Sequence, residues 1–209
     1  MKKFFFMNSK IITRIGIPFI CLLILSCSSG SEYSKLIERE MSTGIIHDSL
    51  LFDMKFGQHR MEFLSACWQL NQQGLVSNGP GNKTVKYKLP LSADAPLKSE
   101  ITLLFFGDFN DDKIMTGMDL EFFYSAWSIW NKKLQTDKLV PVVMDTLKKW
   151  YPGNDFIKVP LEKDSTHLLV KVDGNRRIVI RPIDDDRILK AKIDDLRYVL
   201  DGKKKNDVD

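Results

Sequence analysis

The stretch ITLLFFGDFNDDKIMTGMDLEFFYSAW (residues 101–127) contains the clearest fold signal in the chain. Two apolar runs flank an Asp-rich segment, and in the second run apolar residues alternate with glycine and acidic residues. This two-residue period is typical of a strand with one buried and one wetter face. The alternation predicts that Phe122 and Tyr124 are buried and that Phe123 points to the opposite face.

Further strand-like runs lie on both sides of this stretch. A strand is predicted for each of residues 84–89, 101–106, 114–124, 156–161, 167–172, 177–182 and 188–193. The tetrapeptide DGNR (residues 173–176) joins two of these runs and is a hairpin signal. Short strands separated by such turns favour antiparallel meanders.

A helical pattern precedes each group of strands. Residues 58–73 carry apolar side chains at i, i+3, i+4 and i+7, which mark one face of a helix: Phe63, Ala66, Cys67 and Leu70. Cys67 lies on this face, so we expect a buried structural thiol rather than a reactive one. Residues 136–150 show the same helical spacing. The sequence therefore predicts an α+β fold of two helix-plus-antiparallel-meander units, with the helices on one side of the sheet.

The order of helix and strands occurs twice along the chain. This order predicts an α+β domain at residues 50–202, with possible units at residues 50–126 and 131–202. An offset of 74 residues aligns two Asp-rich turns, a match that chance could also produce. Residues 203–209 are predicted to form a polar, solvated tail.

The beginning of the chain has the layout of a secretory signal. Four basic residues precede a short apolar run at residues 15–25: Lys2, Lys3, Lys10 and Arg14. Positive charge before a short apolar core is the order found in secretory signals. The run is about half of the ~20 residues that a membrane-spanning helix needs. We therefore expect residues 1–26 to be a signal peptide.

The tetrapeptide ILSC (residues 24–27) resembles the lipobox of bacterial lipoproteins. The resemblance implies that Cys27 begins the mature protein and carries several acyl chains, which bind a bilayer stably. A lipidated flexible tether is expected at residues 27–49, and its amphipathic stretch at residues 33–37 is compatible with a short helix. The expected location is the outer membrane, lipid-anchored and facing the periplasm or the cell surface, or alternatively the inner membrane facing the periplasm. If Cys27 is incidental, the segment is an ordinary signal or a short anchor.

The charge of the expected mature chain gives no support to a nucleic-acid-binding function. Of the 31 basic and 27 acidic residues, four basic ones lie in the signal segment, which has no acidic residue. The mature chain would therefore carry 27 residues of each sign, whereas nucleic-acid-binding domains are usually strongly basic. We expect no nucleic-acid partner.

The Asp-rich segment DFNDDKIMTGMD (residues 108–119) has oxygen-bearing side chains at positions 1, 3, 5 and 12 of a calcium-loop pattern. These candidate ligands are Asp108, Asn110, Asp112 and Asp119. Lys113 stands at the sixth position, where a calcium loop needs glycine, and the flanks read as strands. A polar hairpin turn is therefore the favoured interpretation, and we expect neither a metal nor a cofactor.

Aromatic residues are concentrated between residues 122 and 130. Large aromatic side chains fill cores, but they also anchor protein interfaces or stack on sugars. Because Phe122 and Tyr124 are expected to be buried, the candidate interface residues are Phe123, Trp127 and Trp130. The pattern leaves core filling, a protein interface and a glycan-binding surface open.

A second resemblance concerns the domain itself. Gly57, which would open a helix six residues before Phe63, and the repeated order of helix and strands resemble the BLIP-like tandem αβ fold. That group includes β-lactamase-inhibitor-type proteins and SmpA/OmlA-type outer-membrane lipoproteins. The sequence style also resembles that of uncharacterised lipoproteins of the Bacteroidota.

These resemblances imply a function without catalysis. We expect a membrane-anchored extracytoplasmic lipoprotein that acts as a noncatalytic protein-binding or accessory module of the cell envelope, with the bilayer and another envelope protein as partners. The alternatives are a lipid-anchored glycan-binding domain and an envelope hydrolase whose residues meet only in space. No nucleophile elbow or phosphate-binding loop supports the hydrolase.

Overall fold

The computed structural model describes residues 32–90, 99–161, 167–181 and 185–206, with side chains as far as Asp201. The predicted signal peptide and Cys27 lie outside these residues. The helices are α1 (Glu32–Ser42), α2 (Arg60–Gln72), α3 (Thr136–Trp150) and α4 (Leu196–Asn206). The strands are β1 (Ser77–Asn78), β2 (Val85–Lys88), β3 (Ile101–Phe109), β4 (Met115–Tyr124), β5 (Ile157–Pro160), β6 (His167–Asp173), β7 (Arg176–Arg181) and β8 (Leu189–Asp195). In the described ranges, no helix has both the length and the apolar character needed to cross a membrane.

All eight described strands form one sheet in the order β1-β2-β3-β4-β8-β7-β6-β5. Every neighbouring pair is antiparallel, including β4 and β8 at the centre, where Leu120 lies opposite Ala191. The predicted mixed α+β class with an antiparallel sheet is confirmed. Each half of the sheet is a four-stranded meander, and the two halves meet at β4 and β8.

The β3–β4 hairpin has the alternation that its sequence predicts. Phe122 is fully buried and Tyr124 nearly so, whereas Phe123 is partly exposed on the other face. The turn is closed by Asn110, whose Oδ1 accepts a hydrogen bond from the Ile114 amide at 2.9 Å. The Asp-rich segment is therefore a hairpin turn between strands, as its flanks indicated.

α3 packs its apolar face on the sheet. Leu139, Val143 and Leu147 recur every four residues and are fully buried, and they share a cluster with Leu120 and Ile193 of the two central strands. Burial of each such side chain contributes about 1.5–3 kcal/mol relative to exposure. This helix and the core beneath it hold the two halves of the sheet together.

The prediction that the helices lie on one side of the sheet was wrong. Leu169 of β6 belongs to the cluster under α3, while Val170 of the same strand packs with Leu36 of α1 and Leu196 of α4. Successive residues of a strand point to opposite faces, so α1 and α3 cover opposite faces. The reason is that β6 is buried on both faces, with Val170 and Val172 on one face and Leu169 and Lys171 on the other, so each face is covered.

The boundary predicted for the flexible tether also needs correction. Residues 32–42 form α1, which buries Leu36 against β6 instead of remaining extended. The end of the helix is tied to the β6–β7 turn, because the Gly174 amide donates to Glu40 Oε2 at 3.2 Å. A Cβ on Gly174 would lie 2.2 Å from the carbonyl oxygen of Ile45, so glycine permits this close approach.

The boundary predicted for the polar tail is likewise too early. α4 continues to Asn206 and so includes residues 203–206. Its start is capped by Asp195, whose Oδ1 accepts a hydrogen bond from the Arg197 amide at 3.0 Å. An N-terminal cap of this kind satisfies a free amide and favours helix growth through the lysine-rich segment that follows.

α2 begins three residues after Gly57 with a capping box. His59 Nδ1 accepts a hydrogen bond from the Met61 amide, and Glu62 Oε2 accepts one from the His59 amide at 2.8 Å. Just before the helix, the Gly57 amide donates to the Met115 carbonyl at 2.9 Å. These bonds fix the helix against the hairpin end of β4.

Candidate functional site

The four candidate calcium ligands do not converge. Asp108 Oδ2 accepts a hydrogen bond from Lys192 Nζ at 2.6 Å, Asn110 closes the hairpin turn, and Asp112 and Asp119 are exposed. In the part of the chain that the structure describes, no group of three or more His, Cys, Asp or Glu side chains could hold a metal ion. The charge of Asp108 on β3 is balanced by a lysine of β8, which lies beyond β4 in the sheet.

The three candidate aromatic interface residues have different environments. Phe123 is partly buried in the sheet opposite Thr102. Trp127 joins two loops, because its Nε1 donates to the Asp186 carbonyl at 2.9 Å and the Arg187 guanidinium lies 5.7 Å from its ring centroid. Trp130 is 90% exposed. Trp130 is therefore the one of the three whose ring is open to a partner.

The structure reveals an exposed apolar surface that the sequence interpretation missed. Met61, Leu64 and Trp68 follow one another on α2 at spacings of three and four residues, and their exposed fractions are 65%, 39% and 64%. We call these three residues the α2 surface. They lie on the side of the helix opposite Phe63, which is fully buried. Their own helical spacing is the signal that could have identified them.

A groove borders the α2 surface. It has a volume of about 310 Å³ and lies between α2 and the segment that runs from Val76 to Val85. Leu64 and Trp68 form one wall, and the edge strand β1 forms part of the other. The apolar ridge and the groove are continuous, because the same two side chains belong to both.

Cys67 lines this groove but is not poised to react. The thiol is half-buried and free, and burial raises the pKa of Cys67 to about 11. The thiolate is the reactive form, so the group is protonated near neutral pH. The prediction of a buried thiol is met only in part, because Cys67 is half-buried and lines an open groove.

A second cleft, of about 430 Å³, lies between the segment before α2 and the end of α3. Its walls carry slightly more apolar than polar surface, and the apolar part includes Leu51, Phe52, Tyr87 and Trp150. Phe52 and Asp53 both have left-handed backbone conformations, with φ of 54° and 60°. This unusual turn holds the Phe52 ring edge-on against Tyr87, with the ring centroids 5.0 Å apart.

Buried charges lie beneath the second cleft. Lys171 is fully buried, and its Nζ donates to Asp173 Oδ2 at 2.6 Å. Asp173 Oδ1 accepts a second hydrogen bond, from the Asn154 amide at 2.7 Å. Arg176, which is 5% exposed, lines the cleft. Its NH2 atom is 3.8 Å from Asp173 Oδ2, beyond hydrogen-bond distance.

The chemistry available in these two clefts is limited. Among the described residues that line them, Asp53 supplies a carboxylate, and the two clefts do not bring two carboxylates together. Glycoside hydrolysis needs such a pair about 5–9.5 Å apart. Both clefts offer a mixture of apolar and polar surface, and the second cleft also offers a buried arginine.

Comparison of the chain with protein-family models, curated proteins and solved structures gives no match.

Proposed function

We propose that the chain is a lipid-anchored extracytoplasmic lipoprotein whose domain binds another envelope protein through the α2 surface. The observation that carries the proposal is the exposure of Met61, Leu64 and Trp68 in one row on a rigidly capped helix. Contiguous exposed apolar side chains mark interaction sites more often than isolated ones do. The bilayer and the envelope partner are then the two partners of the protein.

The chemistry of the α2 surface favours a protein over a sugar. A glycan site needs polar groups around an aromatic ring, because sugar hydroxyls require hydrogen bonds when they lose water. On α2 the neighbours of Trp68 are the apolar residues Leu64 and Met61, and most of the polar residues that line the groove lie on its far wall, between Ser77 and Thr84. Tryptophan next to a groove that can take a partner side chain is typical of the residues that dominate protein interfaces.

Glycan binding is the second candidate, and Trp130 is the observation in its favour. Its ring is 90% exposed, and its neighbour Asn131 offers polar atoms. An exposed indole can stack on a sugar ring. This candidate uses the loop before α3, so it can be separated from the α2 surface by mutation.

A noncatalytic role forms part of the proposal. The lack of a paired carboxylate in the two described clefts and the high pKa of Cys67 support it. Both an acid–base pair and an activated thiol would have suggested a hydrolase.

We also propose that the fold is a tandem repeat of the BLIP-like kind. The strand order supports this proposal, because β1–β4 and β5–β8 are equivalent meanders that meet at β4 and β8. α2 precedes the first meander and α3 precedes the second. The units would correspond to residues 50–126 and 131–202, with α1 and α4 as additions.

Anchoring at Cys27 gives the first prediction. Cells fed an alkyne-tagged palmitate should label the wild-type protein, and Cys27→Ser should lose the label, because no other group would receive the acyl chains. Cys21→Ser is the matched control within the same segment and should remain labelled. Equal labelling of wild type and Cys27→Ser would contradict the proposal.

Binding through the α2 surface gives the second prediction. A photocrosslinking amino acid placed at Trp68 should yield a discrete, stoichiometric adduct with one envelope protein in intact cells, because this surface would be covered. The matched control places the same group at Lys149, an exposed residue of α3, where no adduct is expected.

Two outcomes would contradict this reading. Identical adducts from both positions would show only proximity in the envelope. Absence of adducts, together with retention on a polysaccharide that Trp130→Ala abolishes, would favour the glycan candidate.

A further inference from the structure

Arg176 is the most poorly compensated charge of the buried network. A guanidinium carries five N–H donors. The contacts of Arg176 are a 3.5 Å approach of NH1 to the Ser49 carbonyl, the 3.8 Å approach to Asp173 and the Tyr151 ring, whose centroid is 4.5 Å from the guanidinium carbon. Within the described residues, its buried Nε has no hydrogen-bond partner.

Asp173 does not neutralise Arg176 alone. Its Oδ2 is 2.6 Å from Lys171 Nζ, and its Oδ1 is occupied by the Asn154 amide. One carboxylate therefore serves two buried cations. Burial lowers the pKa of the Arg176 guanidinium, and the attraction of Asp173 opposes this effect.

A second donor lies beside the arginine in the same cleft. Tyr151 is 4% exposed, and its buried hydroxyl has no hydrogen-bond partner among the described residues. Burial raises the pKa of Tyr151, so the hydroxyl keeps its proton. Buried polar groups in proteins are nearly always hydrogen-bonded, and both side chains line one cleft, so an acceptor bound there would complete their hydrogen bonding.

We propose that the second cleft binds a small monocarboxylate with an aromatic body, with the carboxylate on Arg176 and Tyr151 and the body between Phe52, Tyr87 and Trp150. Arginine pairs with carboxylates through two parallel hydrogen bonds. The cleft volume of about 430 Å³ lies within the range of small-molecule sites. This inference is independent of the α2 surface.

The surrounding charges favour a single negative charge. His47 and Asp53 lie at the cleft, and Asp173 lies behind Arg176. Because Lys171 is paired with Asp173 and the carboxylate of Asp53 lines the cleft, Arg176 is left to match one negative charge, which disfavours a dianion such as a phosphate monoester. The apolar side chains of the cleft disfavour a small ion that has no apolar part to pack against them.

N-acetyl-L-phenylalanine is a suitable probe, and N-acetyl-L-phenylalaninamide is its uncharged counterpart. Calorimetric titration of the full chain in detergent should show saturable binding of the carboxylate and at least tenfold weaker binding of the amide. Phenyl phosphate should also bind more weakly. A peptide ending in phenylalanine tests whether the same chemistry can come from a protein C-terminus, and comparable affinity would identify that source.

Two variants and a control make the proposal falsifiable. Arg176→Gln should reduce the affinity at least tenfold, whereas Arg181→Gln, an exposed arginine of the same strand, should leave it unchanged. Tyr151→Phe should weaken binding several-fold without lowering the melting temperature, because it removes a hydroxyl that has no partner in the free protein. Absence of saturable binding, equal affinity for the carboxylate and the amide, or unchanged affinity in folded Tyr151→Phe would overturn the proposal.

Discussion

Replacing Asp173 with alanine is expected to lower the free energy of unfolding by about 3–5 kcal/mol, the usual cost of removing one partner from a buried ion pair. The side chain is 6% exposed and accepts hydrogen bonds from Lys171 Nζ and the Asn154 amide. Without it, the fully buried Lys171 and the nearby Arg176 would lose their shared carboxylate. Urea unfolding followed by circular dichroism measures the loss.

An exposed ion pair provides the control. Asp155 and Lys148 are 2.6 Å apart, but their side chains are 80% and 45% exposed. Asp155→Ala should leave the unfolding midpoint nearly unchanged, because solvent screens such pairs. Asp173→Asn should lie between Asp173→Ala and wild type if charge and hydrogen bonding both matter. If Asp173→Ala had the same free energy of unfolding as the wild type, the prediction that the buried ion pair stabilises the fold would be wrong.

The strands were the most predictable part of the fold. The alternation of apolar and polar residues and the residue types that favour turns both depend on residues that are close together in the chain. The Asp-rich hairpin follows from two apolar runs and a polar turn, and the structure contains it as β3 and β4. The tetrapeptide DGNR likewise forms a tight turn, in which Asp173 pairs with Arg176 and Gly174 has a φ of 54°. These features depend on residues close together in the chain.

Features that depend on distant contacts were not predictable. A lysine in a strand usually indicates a solvated face, yet Lys171 is fully buried. Its carboxylate partner is two residues away, but neighbours come from the loop after α3: the Asn154 amide donates to Asp173, and a Cβ on Gly153 would lie 3.3 Å from Lys171 Nζ. Other distant contacts dock α1, which was predicted as a tether: Glu40 accepts a hydrogen bond from the Gly174 amide, 134 residues away, and Asn175 accepts one from the His47 amide.

The α2 surface shows a different limit. Apolar residues occur on both sides of this helix, with Phe63 and Cys67 on one side and Met61, Leu64 and Trp68 on the other. Periodicity identified the Phe63 face as apolar, but it did not reveal that a second apolar row would remain exposed. Tertiary packing determines which face is buried, because Phe63 packs against two aromatic rings of β3.

Truncating a side chain should therefore have a different effect on each face of α2: a loss of stability on the Phe63 face and a loss of partner binding on the Trp68 face. Phe63→Ala is expected to lower the free energy of unfolding by about 3–5 kcal/mol, because it leaves a cavity in a closed core. The Phe63 ring is fully buried and lies 5.4 Å from Phe106 and 5.6 Å from Phe109, centroid to centroid. Edge-to-face contacts of this kind add about 0.5–1.5 kcal/mol beyond burial.

Trp68→Ala is the matched variant, five residues along the same helix. Its side chain is 64% exposed, so the expected loss of stability is about 1 kcal/mol or less, while the crosslinked adduct or its partner should be lost. Chemical unfolding of both variants and affinity capture of the partner by each separate the two roles. If Trp68→Ala destabilised the fold as much as Phe63→Ala, Trp68 would be structural. The case for α2 as a binding surface would then fail, because its most prominent side chain would be needed for folding.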